Sequence, residues 1–97
     1  MPEITVRPKA REDFDGIWDY TVETWGYKQA ERYLRTLNQA FELLAEKPEL
    51  GRIYDEVYEG LRVYPLGRHL IFYFATHDGI DVVRVLHERM DVPSHLS

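Results

Sequence analysis

Two stretches of helical periodicity meet at one glycine, Gly26, and that joint limits the chain's options more than any other feature. Upstream, Ala10, Phe14, Ile17, Trp18, Val22 and Trp25 recur at steps of three and four, which is one helical face. Pro8 suits the first position of that helix, where its missing N–H costs nothing. Glu12 and Asp13 lie near that end, as the helix dipole prefers. Downstream, Ala30, Tyr33, Leu34, Leu37, Ala40, Phe41, Leu44 and Ala45 mark a second helix from about Tyr27 to Lys47, ended by Pro48. Glu31 and Arg35 are spaced for an exposed i,i+4 pair on it. Gly26 is a natural helix stop. A joint this short folds the two helices back on each other as an antiparallel hairpin.

Around the hairpin the periodicity changes to that of strands. Residues 3–7 alternate, with Ile4 and Val6 on one face. After a loop at 49–60 come Leu61–Leu66, His69–Ala75 and Ile80–His87, joined at Gly67-Arg68 and at His77-Asp78-Gly79. Both faces of Leu70-Ile71-Phe72-Tyr73-Phe74 are apolar, so this strand belongs in the middle of the sheet. Pro65 marks a free or bulged stretch. Leu50, Ile53 and Tyr58 are expected to hold the loop down. Residues 88–97, with Pro93 and no period, read as an irregular tail. The order β-α-α-β-β-β describes an α+β sandwich in one domain, 1–97. Its helical hairpin lies on one face of a mostly antiparallel four-stranded sheet. One hairpin covers one face, which leaves the other for solvent or a partner.

At 97 residues the core is small, and seven Tyr, four Phe and two Trp put much of its area into rings. The net charge is −5 and evenly spread: seven Lys+Arg against ten Asp+Glu in residues 1–50, five against seven in 51–97. No basic half exists to grip a phosphate backbone, so direct sequence-specific nucleic-acid binding is not expected. The absence of Cys excludes disulfides, thiolate metal sites and a Cys nucleophile, and fits a cytoplasmic protein. No apolar run approaches a membrane span, and the start of the chain lacks the pattern of a signal peptide.

Residues that could carry chemistry are few. His69, His77, His87 and His95 have no metal-ligand spacing, so neither metal nor cofactor is expected. Ser94 and Ser97 are the only serines, and no nucleophile elbow or glycine-rich phosphate loop is present. No residue earns a catalytic role. Arg62 and Arg84 stand out because both interrupt apolar strands, Arg84 within Val82-Val83-Arg84-Val85-Leu86. An Arg there must reach water, an acid or a ligand. Asp81 or Glu59 could pair with Arg84; a partner carboxylate or phosphate is the other reading. On a regular strand Arg84 and His87, three apart, point to opposite faces. Trp18, Trp25 and Tyr33 read as core.

Four pieces in order resemble the ParE toxins, within the RelE/ParE superfamily of type II toxin–antitoxin systems. They are Trp25-Gly26-x-x-Gln29-Ala30-x-x-Tyr33-x-x-x-Leu37, Gly60-x-Arg62, Gly67-x-His69-x-x-x-Tyr73 and Val83-Arg84-Val85-Leu86-His87-x-x-Met90-Asp91. The match spans about residues 4–92. The resemblance implies a helical hairpin against a curved sheet and a toxin that poisons DNA gyrase. It also implies a ParD-type antitoxin partner, held in a hetero-oligomer, whose disordered C-terminal segment folds as it binds. The rival branch resembles RelE, a ribosome-dependent messenger-RNA endonuclease that ends in a His-Arg-Arg-x-x-Tyr-like run. Here the run reads His87-Glu88-Arg89-Met90-Asp91-Val92. Glu88 repels phosphate, and Val92 cannot transfer a proton. Among the matching positions, Gly26 and Gly67 serve turns, and Trp25 and Tyr73 are expected in the core. Arg62, Arg84, His87, Arg89, Met90 and Val92 are the candidate partner-binding residues. Met90, Val92 and Leu96 are expected to meet a target surface, which makes the tail after Arg89 dispensable for folding; the alternative is that Met90 and Val92 cover the open edge of the sheet.

Overall fold

A computed structural model describes residues 2–96; Met1 and Ser97, the last residue of the expected tail, lie outside them. The elements are β1 (Glu3–Val6), α1 (Pro8–Trp25), α2 (Tyr27–Glu46), a 3-10 turn (Pro48–Leu50), β2 (Arg52–Ile53), β3 (Leu61–Leu66), β4 (His69–Ala75), β5 (Gly79–His87) and α3 (Val92–Leu96). Gly26 joins α1 to α2 at φ 94°, a backbone region that a side chain would strain. Its N–H donates to the Val22 carbonyl and closes α1.

The sheet order is β1-β5-β4-β3-β2, with β1 parallel to β5 and every other pairing antiparallel. The α+β sandwich holds, with five strands where the alternation showed four. The extra strand, β2, is too short to have a period. Gly79 is required where β1 meets β5, since a Cβ there would lie 1.8 Å from the Glu3 carbonyl oxygen. One face of the sheet carries the helices: Ala10, Ile17, Leu34, Leu37, Phe41 and Leu44 pack on Ile71, Tyr73, Ile80, Val82 and Val85.

Trp25 departs from its expected place. It is 68% exposed, in the last turn of α1, where burial stops at Thr21. Trp18 stays half-buried and meets Tyr27 edge-on at 5.2 Å between ring centres. Glu31 and Arg35 do not pair; the ion pairs among the described residues are Arg7–Asp81 and Arg84–Asp13.

The second face of the sheet is not left open. Leu61, Val63, Phe72, Val83 and Leu86 form a second buried cluster with Leu96, flanked by Tyr54, Val57, Leu70, Phe74 and Val92. Two segments close it. The 54–60 loop packs Tyr54 and Val57 against the cluster; Leu50 and Ile53 are exposed, contrary to expectation, while Tyr58 is partly exposed and holds the loop through its hydroxyl. The tail expected to be irregular contains α3, whose Leu96 is buried and whose Val92 is half-buried. The Tyr58 hydroxyl donates to the Leu96 carbonyl at 2.9 Å. Leu96 and Val92 therefore belong to the second cluster rather than to a tail without core contacts, while Pro93, Ser94 and His95 are exposed. No helix among the described residues is long and apolar enough to cross a membrane.

Leu96→Ala should cost about 2–3 kcal/mol, or roughly 10–15 °C in Tm. Thermal unfolding of the purified variant measures it, and a shift below about 3 °C would make the second cluster incidental.

Candidate functional site

The geometry around Arg84 starts from a defect in strand pairing. Along β4 and β5, Phe72 is opposite Arg84 but Tyr73 is opposite Val82, so β5 carries one extra residue. The bulge resets the alternation. Val82 and Val85 both belong to the helix-side cluster, whereas Val83 and Leu86 belong to the other. Apolar residues on both sides of Arg84 hide such an insertion from sequence alternation.

β1 pairs with β5 only as far as Val82, and the last backbone bond there runs from Arg7 N–H to the Val82 carbonyl at 3.0 Å. Beyond it the outer edge of β5 would be bare. Asp13, one turn into α1, fills the gap. Its carboxylate accepts from Arg84 Nε and Nη2 at 2.8 Å each and from the Val85 N–H at 3.0 Å. Arg84 Nη1 donates to the His95 carbonyl at 2.8 Å. Arg84 thus ties α1, β5 and α3 together, and its acid is Asp13 rather than Asp81 or Glu59. The hydrogen bonds to Asp13 push the Arg84 pKa up, against the opposing effect of burial. Asp81 is engaged by Arg7 at 2.8 Å.

Arg62 is two strands away and also turned inward. Its Nη1 donates to the Gly51 carbonyl at 2.7 Å. The Gly51 N–H donates to Tyr73 Oη, whose own proton goes to the Pro48 carbonyl at 2.5 Å. A Cβ on Gly51 would lie 2.3 Å from Tyr73 Oη, so only glycine fits. This network fixes the chain as it leaves α2.

His87 enters a cluster of rings. His69 meets His87 edge-on at 5.4 Å between centres, and His69 Nδ1 lies 2.6 Å from Tyr33 Oη on α2. The Arg89 N–H donates to His87 Nδ1 at 3.1 Å. Burial holds the His69 pKa below its ordinary value, and the charge of His87 acts the same way; Glu88 and Asp13 oppose them. Burial pushes the Tyr33 phenol up. No group of three or more potential metal-ligating side chains gathers among the described residues. Arg89 and Met90 are exposed in the turn before α3, with Met90 44% accessible.

The six candidate residues therefore divide. Arg62 and Arg84 hold the fold, Val92 packs in the second cluster, His87 joins a ring cluster, and Arg89 and Met90 face outward. Sequence reasoning missed Asp13, 71 positions from its partner Arg84. The only signal for it was an unexplained Arg in an apolar strand.

Two measurements test this account. Asp13→Ala should destabilise the fold by about 2–4 kcal/mol, because it strands a half-buried guanidinium and an edge N–H. A double-mutant cycle with Arg84→Ala, read by urea unfolding, should show coupling of about 1–3 kcal/mol. The second measurement concerns pH. His69 has a lower pKa folded than unfolded, so the unfolded chain takes up its proton first as pH falls. The His69 contribution is complete above the unfolded value of about 6.5 and is lost as pH falls through it. The Tm of His69→Asn should fall less steeply than that of the parent between about pH 7.5 and 5.5; parallel curves would remove His69 as the titrating group.

The comparisons with known proteins agree with this fold. The family model for the ParE toxin of the type II toxin–antitoxin system parDE matches residues 4–92. Toxin ParE1 of Mycobacterium tuberculosis (strain ATCC 25618 / H37Rv) is 48% identical over 90 residues, covering 92% of each chain. Toxin ParE1 of Caulobacter vibrioides is 35% identical over 88 residues, 91% of each chain. Toxin ParE of Escherichia coli is 32% identical over 98 aligned residues, covering 100% of this chain and 95% of its own. A chain of the solved chromosomal ParDE toxin–antitoxin system of P. aeruginosa superposes with a TM-score of 0.75 at 19% identity, covering 90% of this chain and 96% of that one, a likeness of fold. By the match over 4–92 and these identities, the chain belongs to the ParE toxin family of type II toxin–antitoxin systems.

Proposed function

We propose that this ParE-family toxin inhibits DNA gyrase and so stops replication, and that a ParD-type antitoxin neutralises it in the cytoplasm by forming a complex with it. The observation that carries the choice of target is the state of the run from His87 to Val92. In the endonuclease reading this run would present acid and base groups to RNA. Here His87 Nδ1 is occupied by the Arg89 N–H, Glu88 adds a negative charge, and Val92 packs against the second cluster. An aliphatic side chain in a core transfers no proton. The net charge of −5 also disfavours docking on ribosomal RNA.

Antitoxin binding is supported by a groove beside β1. β1 is an outer strand, and its free side borders a cavity of about 350 Å³. Ile4, Val6, Phe14 and Phe41 make its floor, while Arg11, Asp15 and Glu42 stand at its rim. Ile4 is 38% exposed. A segment that folds as it binds can bury these side chains and repay its own ordering.

Induction in cells should halt DNA synthesis and raise the DNA-damage response before protein synthesis falls, and the purified toxin should inhibit supercoiling by gyrase. Early loss of translation with messenger RNA cut on ribosomes would transfer the chain to the endonuclease reading. Added antitoxin should raise the toxin's Tm by mass action. Ile4→Asp should stay toxic while antitoxin no longer rescues growth.

A further inference from the structure

A second cavity is lined by the turn from β1 into α1, and in a net acidic protein its lining carries three Lys and Arg side chains, two of them ion-paired with Asp81 and Asp13. It has a volume of about 340 Å³. Arg7, Lys9, Arg84 and His95 line it together with Pro8, Tyr58, Val83 and Leu96. No Asp or Glu lines it, in a chain with seventeen acids against twelve Lys and Arg.

The donors are not equivalent. Arg84 is held by Asp13 and the His95 carbonyl through three of its five N–H groups, so it gives the cavity wall a fixed guanidinium. Arg7 is held in place: Nε and Nη2 bind Asp81, and its guanidinium lies 5.6 Å from the centre of the Phe74 ring. Its Nη1 has no partner among the described residues. Lys9 is exposed and makes no ion pair among them. Arg7, with Nη1 unused, and Lys9 thus share the lining with the apolar Val83, Leu96 and Tyr58.

The chemistry fits one carboxylate with an apolar neighbour. A nucleic-acid strand is a poorer match, because it would carry further phosphates onto Asp13, Asp81 and Glu12, the acids that surround the two arginines. Position points to one source. The apolar groove uses Ile4, Val6 and Arg11, and the cationic cavity uses Arg7, Pro8 and Lys9. The two linings draw on one stretch of chain, residues 4–11, that runs from β1 into the first turn of α1.

We infer that the cavity lined by Arg7, Lys9 and Arg84 receives an Asp or Glu side chain of the antitoxin segment that occupies the β1 groove, with an adjacent apolar side chain on Val83 and Leu96. The inference rests on the antitoxin reading above. The cavity gives that segment direction and register, and the groove gives it buried area.

The test is calorimetric titration of the purified toxin with a purified ParD-type antitoxin that rescues the growth of cells expressing the toxin. Wild type, Lys9→Glu, Lys9→Arg and Ile4→Asp are compared at low and high salt. Lys9→Glu should weaken binding by about tenfold or more, and Lys9→Arg by less than about twofold. The salt dependence of Lys9→Glu should be shallower than that of wild type. Lys9 has no ion-pair partner among the described residues, and an unchanged Tm certifies the fold of the variant. Binding by Lys9→Glu at wild-type affinity overturns the inference; loss on Ile4→Asp in the same series would leave the antitoxin reading standing. Failure of the wild type to bind overturns both. Unchanged antitoxin binding with lost toxicity in Lys9→Glu assigns the cavity to the target and overturns the inference as well.

Discussion

The carboxylate of Asp13 does what a sixth strand would otherwise have to do. β1 is four residues long and β5 nine, so more than half of the outer edge of β5 has no strand beside it. A bare edge exposes backbone groups to pairing with another chain. Asp13 takes the Val85 N–H and both near nitrogens of Arg84 with two oxygens. The pair is 13–15% exposed, so its attraction is only partly screened, and each charge is satisfied by directed bonds. The bulge at Val83 makes this possible. It brings Arg84 out of the regular alternation to a point where it reaches α1 on one side and α3 on the other.

From that junction the closure of both faces follows. The helical hairpin shields one face of the sheet. The other is shielded by two short segments, the 54–60 loop and α3, that have few internal bonds of their own. They depend on anchors from elsewhere: Arg84 on the His95 carbonyl, Tyr58 on the Leu96 carbonyl, and the Tyr54 N–H on the Leu61 carbonyl at 2.7 Å. A domain of this size has little core to spare, and a second cluster, built on three strands and closed by two short segments, enlarges it without adding a layer.

The long elements were legible in the sequence because their periods are long. Gly26 between two helical stripes predicted the hairpin, and the doubly apolar Leu70–Phe74 run predicted a central strand. What escaped was decided by geometry that no local pattern encodes. Trp25 continues the apolar stripe of α1, yet burial along that helix stops at Thr21. The loop buries Tyr54 and Val57 instead of the bulkier-looking set one position away. The bulge lies in a stretch of valines and leucine where one inserted residue leaves the apolar pattern unchanged. The tail had no period because five residues are too few to show one, though Leu96 alone commits it to the core. The candidate site fared accordingly. Motif positions singled out Arg62 and Arg84, whose bonds are internal, while Asp13 and the cationic cavity depend on contacts between distant segments.

Anchoring the tail also changes what it can offer to a partner. The Glu88 N–H donates to the Arg68 carbonyl at 2.8 Å, the Met90 N–H to the His87 carbonyl at 3.0 Å, and Arg84 holds the His95 carbonyl. Arg89 and Met90 are therefore carried on a turn tied at both ends. A partner that meets them does not have to order that backbone, which removes one of the usual costs of association. The groove beside β1 works the other way, since the ordering there falls on the incoming segment. The β5 strand separates the two surfaces: Ile4 pairs with Ile80 near its start, and Met90 follows its end. At roughly 3.3 Å per residue that separation is on the order of 25 Å. A segment seated only in the groove leaves Met90 uncovered. Blocking Met90 by contact takes about seven or eight further extended residues, and a shorter segment has to act on the target by bulk or by competition elsewhere on the surface.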